Sequence, residues 1–150
     1  MVLISTGASI GFVTRILPDG WIDPVFGING FYLEFGMETG VTAVGVDPSG
    51  RIWLLGRLLA DGTGWWIFQL LDTVGNPTDN RALTFPGYGF ETTIPTAMAF
   101  QPDGNVLLGG WGKTGSPDFF ASMAVARILG STLNLDPTFG GGGTGELVIT

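Results

Sequence analysis

The fold is decided by a stretch that occurs twice, as Asp47-Pro-Ser-Gly-Arg-Ile-Trp-Leu-Leu-Gly56 and as Gln101-Pro-Asp-Gly-Asn-Val-Leu-Leu-Gly-Gly110. In each copy a Pro-x-Gly turn is followed by a short apolar run that ends at glycine. Proline presets φ and glycine takes positive φ, so each turn predicts a hairpin between consecutive strands. The related turn Pro18-Asp-Gly20 stands earlier in the chain.

A second repeated stretch is Arg15-Ile-Leu-Pro-Asp-Gly-Trp-Ile-Asp-Pro-Val-Phe-Gly27, which returns as Arg127-Ile-Leu-Gly-Ser-Thr-Leu-Asn-Leu-Asp-Pro-Thr-Phe-Gly140. In the degenerate middle copy we align Gln69 with the arginine and Asp79-Asn80 with Asp-Pro. The spacing gives a repeat of about 56 residues. A single repeat domain, 1–150, is therefore expected, with a partial unit 1–27, full units 28–84 and 85–140, and a partial unit 141–150.

The apolar runs between these landmarks are short and bounded by Gly, Pro, Asp or Asn, which is typical of strands. Four strands per unit is the size of a β-propeller blade. The sequence thus predicts an all-β, β-propeller-like repeat protein with four-stranded blades, two of them full and one split between the termini. The expected strands lie near 2–5, 10–17, 31–35, 41–47, 52–59, 65–72, 81–86, 96–102, 105–111, 121–129 and 146–150.

The order Pro-Asp-Gly, then a strand ending in Arg, then Asp-Pro-x-Phe-Gly resembles the delta-60 repeat of bacterial β-propeller-like proteins. The residues that carry the resemblance are Pro102-Asp-Gly104, Arg127 and Asp136-Pro-Thr-Phe-Gly140, with Arg15 and Asp23-Pro-Val-Phe-Gly27 in the first copy. The resemblance covers nearly the whole chain. It implies a fold but no activity, and it implies longer, exported relatives.

Composition excludes several classes of function. The net charge is −7, and the six cations do not cluster as nucleic-acid or anionic-membrane binding would require. No apolar run reaches the length of a membrane span. Residues 1–7 lack the basic and apolar regions of a signal peptide. An extracellular, cell-surface or virion-associated location is expected, and a cytoplasmic one stays open.

Two matches to catalytic or nucleotide-binding motifs lack the context that they need. Gly7-Ala-Ser-Ile-Gly11 fits a nucleophile elbow, but the chain contains no histidine to act as its base. Gly140-Gly-Gly-Gly-Thr-Gly145 fits a phosphate-binding loop, but a strand rather than a helix is expected behind it. With no cysteine either, we expect no catalytic residues and no enzymatic activity.

Two arginine–aspartate pairs recur at matching places. Arg15 precedes Asp23 by eight residues and Arg127 precedes Asp136 by nine, whereas in the middle copy Gln69 replaces the arginine and the Asp-Pro motif is also lost. We expect each pair to form a salt-bridged latch between a strand and the turn that follows it, which bidentate geometry would suit. A ligand site is the alternative.

Three glutamates, Glu34, Glu91 and Glu146, recur at nearly one period. On first strands they would line a central channel, where their oxygens could hold calcium. The alternative is a solvated channel with no cofactor. Carboxylate pairs can also hydrolyse glycosides, although the spacing does not favour that chemistry.

Aromatic residues are abundant enough to suggest a carbohydrate surface as well as a core. Flat aromatic faces can stack on sugars, and neighbouring tryptophans on a strand point to opposite sheet faces. The candidates for ligand contact are Trp53, Trp65, Trp66, Trp111 and Tyr88.

These patterns favour a non-enzymatic structural or binding module on a cell surface, in a secreted assembly or in a phage particle. A split blade and a low charge density predict a homo-oligomer closed by strands from both termini, unless the chain is a piece of a longer array. Other surface or virion proteins and glycans are candidate partners. The alternatives are a lectin-like propeller and a carboxylate-dependent glycoside hydrolase or lyase.

Overall fold

The computed structural model describes residues 1–6, 11–34, 40–60, 63–85, 88–114 and 121–149. These residues form β-strands and no helix, which confirms the all-β prediction. The strands are β1 (Val2–Thr6), β2 (Gly11–Arg15), β3 (Phe31–Glu34), β4 (Val41–Val46), β5 (Ile52–Ala60), β6 (Thr63–Leu71), β7 (Pro77–Leu83), β8 (Phe90–Phe100), β9 (Val106–Thr114), β10 (Ala121–Ile128) and β11 (Glu146–Ile149).

The strands form three antiparallel sheets, each a meander in chain order. Sheet I contains β1, β2 and β3, sheet II contains β4 to β7, and sheet III contains β8 to β11. The two repeated Pro-x-Gly turns join β4 to β5 and β8 to β9, where the predicted hairpins lie. In the first hairpin the Gly50 N–H donates to the Asp47 carbonyl over 2.9 Å, and Gly50 has a φ of +85°.

The expected grouping of strands is wrong in one respect. We expected the strand after each Asp-Pro-x-Phe-Gly turn to open a new blade, but β3 pairs with β2 and β11 pairs with β10. The turn doubles the chain back, because the Asp23 N–H donates to the Arg15 carbonyl over 2.8 Å and the next strand then runs beside the last. The sheets are thus offset by one strand from the sequence units. The termini do not share a sheet, since β11 already completes sheet III.

Sheets I and III pack on opposite faces of sheet II. We call the face of a sheet that points toward the next sheet along the chain its front face, and the opposite face its back face. In sheet III, the front face is the one that points away from sheet II. Alternating side chains of β5 and β6 separate the two cores. The core between sheets I and II contains Val13, Phe26, Ile52, Leu54 and Leu71, and the core between sheets II and III contains Trp53, Leu55, Trp66, Phe68, Leu70, Val106, Leu108, Ala124, Ala126 and Ile128.

Candidate functional site

The first predicted latch joins the end of β2 to the turn that follows it. Arg15 Nε and Nη2 lie 2.8 and 2.6 Å from the same oxygen, Asp23 Oδ2. The other oxygen, Oδ1, accepts the Val25 N–H over 3.1 Å and so caps the turn. The hydrogen bonds from Val25 and then Arg15 lower the pKa of Asp23. The contact is therefore not bidentate, because one carboxylate oxygen receives both guanidinium donors.

The second latch repeats this geometry in sheet III. Arg127 Nε and Nη2 each lie 2.7 Å from Asp136 Oδ2, and the Asp136 Oδ1 accepts both donors of Thr138. The Thr138 hydroxyl and amide lower the pKa of Asp136 most, and Arg127 lowers it further. Each arginine also covers a phenylalanine of its turn, with Arg127 5.0 Å from the centre of the Phe139 ring.

The hairpin register corrects our alignment of the middle copy. The hairpins 17–21 and 72–76 are closed by equivalent backbone bonds, and the residue two positions before each is Arg15 in sheet I and Leu70 in sheet II. Leu70, not Gln69, therefore stands at the arginine position. Gln69 instead accepts the hydroxyl of Tyr32 over 3.0 Å, which links sheets I and II.

A further charged cluster, which the sequence analysis missed, lies in the hairpin between β4 and β5. Asp47 accepts hydrogen bonds from Arg51 Nε over 2.7 Å and from the Trp53 indole over 3.0 Å. Burial alone would raise the pKa of Asp47, but bonds from Ser49, Trp53 and Arg51 lower it to about 2. The signal was available, because Gln101 and Asn105 replace both Asp47 and Arg51 in the other copy of the stretch.

Two of the three arginine clusters, those of Arg15 and Arg51, bridge neighbouring sheets. Arg15 Nη1 donates to the carbonyl of Thr73, and Arg51 Nη2 donates to the carbonyl of Gly130 over 3.0 Å. Thr73 is the second residue of hairpin 72–76, and Gly130 is the second residue of hairpin 129–134. At each joint, then, an arginine held by an aspartate of one sheet bonds the same place on a hairpin of the next sheet.

The three glutamates do not converge. Glu91 lies exposed in β8 and Glu146 lies buried in β11, at opposite edges of sheet III, while Glu34 belongs to β3 of sheet I and its side chain is outside the described part. Burial raises the pKa of Glu146 to about 7, and neither of its carboxylate oxygens has a hydrogen-bond partner. Among the described residues, no group of three or more His, Cys, Asp or Glu side chains could hold a metal ion.

The aromatic candidates also lie apart. Trp53 and Trp66 are fully buried in the core between sheets II and III, so they cannot offer a face to a ligand. Trp65 alternates with Trp66 and points to the other side of sheet II. Trp111 is exposed on the front face of sheet III, and Tyr88 stacks on Phe90 with ring centres 5.9 Å apart.

The two motif matches have different outcomes. Residues 7–10 of the elbow-like stretch lie outside the described residues. The loop 140–145 leads into strand β11, as expected, and an added Cβ at Gly140 would clash with the Glu146 carbonyl oxygen. Within the described segments, no helix is long and apolar enough to cross a membrane.

Comparison with known proteins finds no matching family model, no matching curated protein and no matching solved structure. The resemblance to the delta-60 repeat therefore stays a prediction.

Proposed function

We propose that this chain is a non-enzymatic structural or binding module that assembles through stacked, propeller-like sheets. Propeller blades are four-stranded antiparallel sheets, and the proposal is supported by sheets II and III, which are four-stranded antiparallel meanders packed on each other. The delta-60-like motifs support the same proposal. A cell surface, a secreted assembly or a phage particle is the proposed setting.

The observation that carries the proposal is that both outer faces of the stack expose large apolar side chains. Large apolar side chains are exposed on the front face of sheet III, where Trp111 is 36%, Met123 51% and Ile149 47% accessible. The back face of sheet I exposes Phe12 at 42%, Phe31 at 37% and Leu33 at 40%. Contiguous apolar patches of this kind mark interaction surfaces.

The polar groups support assembly rather than catalysis. The ion pairs of Arg15, Arg51 and Arg127 hold turns and joints together, and they lie in three different turn regions rather than in one cleft. The buried carboxylate of Glu146 and the exposed one of Glu91 are at opposite edges of a sheet. The glycoside hydrolase alternative is accordingly not favoured.

Mass in solution tests the proposal. Sedimentation velocity over about 1–100 µM should show species at multiples of the 15.8 kDa chain, with their share rising with concentration. A single 15.8 kDa species over that whole range would contradict it.

Carbohydrate binding is the second candidate, and the exposed ring of Trp111 is the observation that favours it. A glycan array should then give a signal that Trp111→Ala abolishes. Binding that survives Trp111→Ala would place any carbohydrate site elsewhere.

A further inference from the structure

The chain carries, at its two ends, the two halves of a joint that it also forms internally. Within the chain, the front face of sheet I meets the back face of sheet II, and the front face of sheet II meets the back face of sheet III. The front face of sheet III and the back face of sheet I are the same two kinds of surface, and none of the described strands packs on either of them.

The internal joint between sheets I and II shows what such a contact contains. The Arg15 guanidinium donates to the Thr73 carbonyl, and the Gly27 N–H donates to the Val74 carbonyl over 2.8 Å. The ring of Phe26 lies against Gly75, where an added Cβ would approach that ring to 2.9 Å. Arginine, phenylalanine and glycine of one turn thus hold three consecutive residues of the neighbouring hairpin.

Sheet III presents the same donor set, and no hairpin among the described residues lies against it. Arg127, Phe139 and Gly140 occupy the positions of Arg15, Phe26 and Gly27 in the repeated stretch. Arg127 Nη2 donates to the Thr138 hydroxyl of its own turn over 2.9 Å, whereas Arg15 uses its other terminal nitrogen, Nη1, to reach the next sheet. Phe139 is partly exposed, whereas Phe26 is fully buried.

Sheet I presents the matching hairpin, and no described sheet packs against it. Hairpin 17–21 is closed by the same backbone bonds as hairpin 72–76, which places Pro18, Asp19 and Gly20 where Thr73, Val74 and Gly75 stand. An added Cβ at Gly20 would have no atom within 4 Å, in contrast to Gly75. Elsewhere on sheet I, an apolar groove of about 500 Å³ is lined by Phe12, Phe31 and Leu33 together with Gly75 and Pro77 of sheet II.

We propose that a second copy of this chain docks head to tail here, with the front face of sheet III on the back face of sheet I of the next copy. At this joint Arg127 donates to the Pro18 carbonyl, Phe139 packs on Gly20 and the Gly140 N–H donates to the Asp19 carbonyl. The inference rests on the proposed function, because it names the surfaces through which the module assembles. The contact is heterologous, so repetition yields a ring if the rotation closes and a filament if it does not.

Two charge insertions test the joint, one on each surface. Met123→Arg blocks the front face of sheet III, and Phe12→Arg blocks the back face of sheet I. Each variant alone should be monomeric, because each keeps only one working surface. Mixed, they should form a 1:1 dimer that grows no further, which also shows that both variants are folded. Val46→Arg, at an exposed apolar position in sheet II, is the matched control and should associate like the wild type.

The arginine contact is tested within that mixed dimer. Arg127→Leu, added to the Phe12→Arg chain, installs the residue that sheet II carries at the equivalent position. Loss of a charge-assisted hydrogen bond should weaken pairing with the Met123→Arg chain about tenfold or more. An unchanged dissociation constant would overturn the assignment of Arg127.

The outcomes separate this inference from the proposed function. A wild-type chain that associates while neither face variant disturbs it would overturn the head-to-tail joint and leave the proposed assembly standing. Single variants that are monomeric but do not pair when mixed would also overturn the joint. A wild-type monomer throughout would overturn both.

Discussion

At the scale of single residues, Glu146 has the environment least suited to its charge. Its side chain is 2% accessible and lies on the face of sheet III that packs against sheet II, opposite Ala126 of β10. Burial raises the pKa of Glu146 from an ordinary 4.5 to about 7. Between these values the folded chain holds a proton that the unfolded chain releases, so this group makes folding less favourable as the pH rises through that window.

Glu146→Gln should therefore stabilise the protein at high pH only. At pH 8 the variant should gain on the order of 2 kcal/mol in free energy of unfolding, and the gain should vanish below pH 4.5. Urea denaturation across this pH range measures the difference, with exposed Glu91→Gln as the control that should show no such trend. A difference between Glu146→Gln and wild type that stays constant with pH would contradict the assignment.

The two latches should differ in strength because only one spans two sheets. Arg15 pairs with Asp23 and also bonds Thr73 of sheet II, whereas among the described residues the Arg127 guanidinium bonds Asp136 and Thr138 of its own turn. In the Met123→Arg background, which is expected to be monomeric, Arg15→Ala should lower Tm by more than Arg127→Ala does. Thermal unfolding followed by tryptophan fluorescence measures this, and the reverse ranking would show that the bond to Thr73 contributes little.

At the scale of strands, most elements could be predicted from turn residues and apolar runs, and the misses have physical reasons. β8 begins at Phe90 rather than near 96. The prediction missed its first residues because proline usually interrupts a strand. Pro95 is tolerated because it lies at a register shift in an edge strand, where its missing N–H leaves no neighbouring strand without a donor. β7 begins at Pro77 and is polar and mostly exposed, so it lacks the apolar run that identifies a strand. The pairing of the strand that follows the Asp-Pro-x-Phe-Gly turn could not be predicted. After such a turn, a strand can either pair with the strand before the turn or begin a new sheet.

Two adjacent glycines of β9 should differ in how much stability is lost when each is replaced by alanine. An added Cβ at Gly110 would lie 2.7 Å from the Trp66 ring and closer still to the Ile94 carbonyl oxygen, whereas one at Gly109 would meet nothing within 4 Å. Gly110→Ala should cost roughly 1–3 kcal/mol of stability through overpacking, and Gly109→Ala should be nearly neutral in the monomer. Chemical denaturation measures the free energy of unfolding of both variants. Equal losses in the two variants would contradict the packing of sheet III on sheet II.

At the scale of the whole molecule, the proposed function rests on the two outer faces of the stack and not on a pocket. The candidate ligand residues lie on different sheets and faces. The sequence could not predict this, because spacing identifies recurring residues but not the sheet edge or face that each occupies. The joints were hidden for the same reason: Arg51 and Gly130 are far apart in the chain and meet only because the sheets stack. The net charge of −7 would oppose the association of copies that we propose.

Self-association should accordingly strengthen with salt. Raising NaCl from about 20 to about 500 mM screens the repulsion between acidic copies and should tighten assembly severalfold. Light scattering at a fixed protein concentration follows the change. Assembly that weakens over this range would indicate that ion pairs, rather than apolar contacts and bonds to carbonyls, hold the copies together.

The antiparallel pairing of the two terminal strands has a mechanical consequence. Strand β1 begins where Val2 pairs with Arg15, and β11 ends where Ile149 pairs with Met123. Tension applied to either terminus would load these pairs one after another, so the strands would peel at low force instead of resisting together in shear. Load transmitted across the sheet faces would bypass the termini altogether, and a stack of such modules would bear force best when pulled through its neighbours.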